Sequence, residues 1–80
     1  MEFHVTKQKD RDVTKDLFKR FLRTAELLHT EVKLISVSDN GTDFTAAKLE
    51  MSEGQQTNRI IALGNIDGLN IEPLLEDQNT

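Results

Sequence analysis

Three cations stand in one row. Lys15, Lys19 and Arg23 recur at i, i+4 and i+8, and Arg20 flanks them. On a helix that spacing puts the charges on one face, where phosphates bind through charge and counterion release. A solvated outer face explains the same row, because Lys and Arg are good helix formers that keep a surface soluble. No aromatic residue lies among these cations, and the chain contains neither Trp nor Tyr. Base stacking on a neighbouring sheet would fall to Phe3 or Phe44.

The other candidate groups form no catalytic set. His4 and His29 are the two histidines, and a zinc or catalytic pair needs a third partner that the sequence does not display. His29, near a helix C-terminus, complements the helix dipole. Asp39-Asn40-Gly41-Thr42-Asp43 is faintly like a calcium loop, yet it lacks the further oxygen ligands and the closing glutamate of a twelve-residue site. A turn accounts for it. Gly64-Asn65-Ile66-Asp67-Gly68 is followed by no Lys and opens no helix, so it is not a phosphate loop. Ser36, Ser38 and Ser52 have no nucleophile-elbow context. The expectation is therefore no enzyme, no cofactor and no metal.

The elements that position these groups start with a short strand, in which Phe3 and Val5 alternate with polar residues. A charged connection, Lys7 to Asp12, leads to a helix over Lys15 to His29. Thr14 is its N-cap, Asp16 falls in its first turn, and Val13 with Phe18 fits a hydrophobic staple. Leu17, Phe18, Phe21, Leu22, Ala25 and Leu28 fill one apolar sector. Val32 to Val37 is rich in β-branched residues and reads as a strand. Asn40-Gly41 suits a two-residue type I′ hairpin. The strand returning to Ser52 has Ala47, Leu49 and Met51 in phase and Phe44 out of phase, which points to a bulge near Ala46. Arg59 to Leu63 reads as a further, central strand. Leu69 and Ile71 form either a short edge strand or the start of a helical turn containing Pro73. Asp77 to Thr80 is expected to fray, as are residues 1–2.

The fold expected is α+β: a single amphipathic helix packed on a small, mostly antiparallel sheet, in the order β-α-β-β-β. Residues 1–80 make one small domain. A chain this short buries only about 60% of the surface its unfolded form exposes. With no cysteine, extra support comes from a well-packed core or from oligomerisation. No apolar run approaches the ~20 residues of a membrane span, and no secretory signal is visible, so the cytoplasm is the default location and no membrane is expected as partner. Net charge is −4, divided as +3 over residues 1–23 and −7 over residues 24–80. The acidic total argues against broad nucleic-acid binding and leaves one permissible docking face.

The helix, the Val32–Ser52 hairpin with its Asn-Gly turn and Ile60-Ile61-Ala62-Leu63-Gly64-Asn65-Ile66 loosely resemble the order of the Sm-like small barrels. That resemblance covers residues 14–71 and implies ring assembly and RNA binding. The chain departs from it by one strand fewer, an extra N-terminal strand and the absence of the paired motifs. The reading that follows is a non-catalytic protein-interaction or regulatory module, homo-oligomeric or with a protein partner. The alternative is a nucleic-acid-binding module using Lys15, Lys19, Arg20 and Arg23.

Overall fold

The structure, a computed structural model, describes residues 1–28, 31–52 and 54–74. Its elements are β1 (Glu2–Lys7), α1 (Lys15–Leu27), β2 (Val32–Asp39), β3 (Phe44–Met51), α2 (Gln55–Ile66) and β4 (Leu69–Pro73). The strands form one antiparallel sheet in the order β2-β3-β1-β4. The α+β class stands, but there are two helices, and the order is β-α-β-β-α-β.

The expected strand over Arg59 to Leu63 is the correction. It lies within α2, and the small-barrel order loses a strand with it. A short apolar run does not distinguish a strand from a buried helix segment by itself. Topology decides here. β3 and β4 both run antiparallel to β1, so they are parallel to each other, and parallel strands need a long crossover, usually a helix. α2 is that crossover. Its inward positions Thr57, Ile60 and Gly64 are buried, with Ile61 partly so. That spacing is helical. α1 joins the parallel pair β1 and β2 in the same way. The result is a split βαβ arrangement, ferredoxin-like in strand order.

α1 begins where expected. The Thr14 hydroxyl accepts a hydrogen bond from the Leu17 amide at 3.0 Å, and Thr14 is extended (φ −78°, ψ 163°). Val13 and Phe18 are both buried. The helix ends at Leu27 with Leu28 as C-cap. His29, and the fraying expected over Asp77 to Thr80, lie outside the described residues.

The hairpin differs from a type I′ turn. Gly41 has positive φ (109°), but Asn40 does not. The loop spans residues 40–43 and is held by side chains acting on the backbone. The Gly41 amide donates to Asp39 Oδ1 at 3.0 Å, and the Asp43 amide to Asn40 Oδ1 at 2.9 Å. Asx turns of this kind replace the tight turn.

Both helices cover one face of the sheet. α1 lies against β2 and α2 against β4. The core between the layers includes Phe3 and Val5 of β1, Leu49 and Met51 of β3, Phe18 and Phe21 of α1, and Ile60 of α2. The rings of Phe18 and Phe44 stack with centroids 4.4 Å apart. Phe44 reaches this core out of alternation because Ser38 pairs with Ala46 and Asp39 with Phe44, which leaves Thr45 as the inserted residue. The bulge expected near Ala46 is therefore present. A second irregularity falls in β2: Leu34 pairs with Leu49 and Ser36 with Lys48, so Ile35 is inserted.

β4 is the edge strand of the two alternatives. The Leu74 amide donates to Glu2 O at 2.9 Å. By alternation, the nitrogen of Pro73 faces the free side of β4, where it has no hydrogen to offer.

Candidate interaction surface

The four cations singled out by spacing do not act as one patch. At 100° per residue, Lys15, Lys19 and Leu22 lie on the flank of α1 that overlooks β2, while Arg20 and Arg23 lie further out. Lys19, Arg20 and Arg23 are exposed, whereas Lys15 is half-buried and its Nζ lies 3.7 Å from Asp39 Oδ2. Asp16 interrupts the outer face, and Glu26 falls on the β2 flank in line with Lys15 and Lys19. Phe3 and Phe44, the rings to which base stacking would have fallen, are 2% and 0% exposed. Phe18 and Phe21 are buried as well, so among the described residues the sheet offers no ring for a base.

The open face of the sheet is polar and mixed in sign. His4, Lys48 and Ser36 form one cross-strand row, with Glu72 on the far side of His4. Lys48 Nζ lies 3.9 Å from Glu2 Oε1. Exposed pairs of this kind contribute little, about 0–1 kcal/mol. Among the described residues, no group of three His, Asp or Glu side chains gathers closely enough to hold a metal ion.

The β2 edge is different. Seven of its eight residues are exposed, against two of eight in β3. Leu34, Ile35 and Val37 are 41%, 41% and 45% exposed, although the register puts Leu34 and Val37 on the helix-covered side opposite buried Leu49 and Ala47. Among the described residues no further strand lies beyond β2, which leaves their outer flanks bare. Between β2 and α1 runs a narrow cleft of about 90 Å³. Phe18 and Leu22 form its helix side, Leu34 and Val37 its strand side, and Lys15 and Lys19 its rim. At the other end of β2 a wide, open depression of about 670 Å³ is bordered by Glu26, Glu31, Val32 and Glu50, with Lys33 beside them. The edge is thus apolar at its centre, basic on the helix flank at one end and acidic at the other.

Spacing along the chain did not single out this edge. Leu34-Ile35 is an adjacent apolar pair that breaks strand alternation, and that was the available signal. A half-buried strand with both neighbours present would show the same residues.

The comparisons with known proteins add no constraint: no family model, curated protein or solved structure matches the chain. Among the described residues, no helix is long and apolar enough to cross a membrane.

Proposed function

We propose that the protein is a non-catalytic interaction module that docks a partner polypeptide along the β2 edge. The observation that carries this reading is the bare edge itself. It is eight residues long, lacks proline and exposes three large apolar side chains above an apolar cleft. An unpaired strand offers a row of backbone donors and acceptors, and alternate side chains beside it supply specificity. The opposite edge, β4, is five residues long and ends in Pro73. The two edges of one sheet therefore differ in their capacity to accept a strand.

Site-specific photo-crosslinking tests the reading. p-Benzoylphenylalanine at position 36, on β2, is expected to capture polypeptide, whereas the same group at position 72, on β4, is not. Equal labelling at both edges, or none at β2, removes the support for the β2 edge.

The alternative, nucleic-acid docking on α1, draws on the exposure of Lys19, Arg20 and Arg23. Burial of all four phenylalanines leaves it without stacking contacts, so charge would have to carry it.

A further inference from the structure

We infer that the polypeptide docked on β2 is a second copy of this chain, in a two-fold pair that joins the sheets through antiparallel β2 strands and sets α1 beside its symmetry mate. The inference rests on the β2 reading above and names its occupant.

The first argument is register. In an antiparallel pair, directly opposed residues share a face of the sheet. In a regular strand, residues an odd number apart point to opposite faces, so a two-fold axis must pass through a residue. The Ile35 bulge reverses that parity. Leu34 opposes Leu49 and Val37 opposes Ala47, so both point to the helix side although they are three residues apart. Lys33 and Ser38 both point to the open side. A two-fold axis between Ile35 and Ser36 then matches Leu34 with Val37 of the second copy on the helix side. It matches Lys33 with Ser38 on the open side. The whole strand pairs consistently only with the axis between these residues.

The second argument is charge. The flank of α1 above β2 carries Lys15 and Lys19 toward one end and Glu26 toward the other, with Leu22 between them. An antiparallel second copy opposes unlike ends. The axial level agrees. Lys15 stands beside Asp39, and Glu26 borders the same depression as Val32. The strand axis lies about 11 to 12 Å from Asp39 at ~3.3 Å per strand residue. At ~1.5 Å per helix residue, that is about eight residues beyond Lys15, next to Leu22 and Arg23. Symmetry about that level puts Lys19 opposite Glu26 of the second copy, twice, with the two Leu22 side chains near the axis.

The third argument is spacing. The cleft residues show that α1 overlies β2 and β3. With strands ~4.8 Å apart, a second β2 brings the two α1 axes to about 10 Å, the separation at which helices pack.

The test uses the full chain, with sedimentation followed over a wide range of concentration. The wild type is expected to be a reversible dimer. Leu34→Glu and Val37→Glu, at positions that are already exposed, are each expected to leave the circular dichroism spectrum intact and abolish association. Lys19→Glu and Glu26→Lys are each expected to weaken the dimer by about tenfold, since each turns two attractive pairs into repulsive ones. The double variant is expected to recover to within about threefold of the wild type. Lys19 and Glu26 are seven residues apart on one helix, beyond the i+3 and i+4 neighbours, so recovery reports a contact between chains. A wild type that stays monomeric to about 1 mM overturns the inference, as does a double variant no better than its parents. In either case, crosslinking of other proteins at position 36 keeps the β2 reading, and absence of crosslinking there removes both.

Discussion

Gly64 of α2 lies so close to Ile71 of β4 that a Cβ at position 64 would come within 2.6 Å of Ile71 Cδ1 and 3.3 Å of Cγ1. The missing side chain is what lets α2 settle onto the β4 end of the sheet. A glycine within a helix costs about 1 kcal/mol relative to alanine. A Cβ there would oblige the buried Ile71 side chain to shift.

Gly64→Ala is therefore expected to destabilise the fold despite its better helix propensity, by about 1 kcal/mol net. Ile71→Val removes the Cδ1 methyl and costs about 1 kcal/mol alone. Together the two changes should cost less than their sum, because the second relieves the first. Denaturant midpoints of the two single variants and the double variant measure that coupling. Strict additivity would show that the contact does not limit packing.

Thr14→Ala should cost about 1 kcal/mol, the usual loss when a capping hydroxyl is removed. Thr14→Ser and Thr14→Asn should retain most of the stability, since each side chain still presents an oxygen to the Leu17 amide. Thermal or urea unfolding distinguishes them. A loss in all three variants would place the role of Thr14 in its β-branched methyl, which all three lack, rather than in its hydroxyl.

Phe44→Ala removes one ring of the Phe18–Phe44 stack and is expected to cost about 3–5 kcal/mol. Domains of this size have little stability to spare, so the expected outcome is loss of cooperative unfolding at 25 °C. Phe44→Leu keeps much of the volume and should remain folded with a lowered midpoint. Near-ultraviolet spectra and urea titration read both.

The nucleic-acid alternative makes its own demand. Labelled oligonucleotides are expected to bind no more tightly than about 0.1 mM at physiological salt, with no change in the Lys19→Glu, Arg23→Glu variant. Tight binding that falls steeply with salt and is lost in that variant would move the functional assignment from β2 to the outer face of α1.

Local signals in the sequence were reliable where chemistry and geometry coincided. Thr14, Asp16 and the apolar sector of α1 define a helix by capping, dipole and period, and nothing elsewhere in the fold competes with them. The out-of-phase position of Phe44 pointed to a bulge near Ala46, where Thr45 is the inserted residue, because a large ring must enter the core whatever the strand parity. Ile60-Ile61-Ala62-Leu63 was misread because β-branched residues occur in both buried strands and buried helices. The need for a crossover between β3 and β4 becomes visible only when the strand order is known. The β2 edge was hidden for a similar reason: exposure depends on which strand ends the sheet, and that is a property of the whole topology. Lys15, Lys19, Arg20 and Arg23 were legible as exposed cations, but their division between the flank and the outer side of α1 depends on where β2 lies.

Pro73 has a consequence for colloidal behaviour. A sheet with two receptive edges polymerises, because each added copy presents a fresh edge to the next. Here Pro73 withholds a donor from the free side of β4, and that strand is five residues long. Growth through β2 therefore terminates after one addition. Concentrated solutions should stay clear and free of fibres, and replacing Pro73 by a β-former such as Val is the change that puts this at risk.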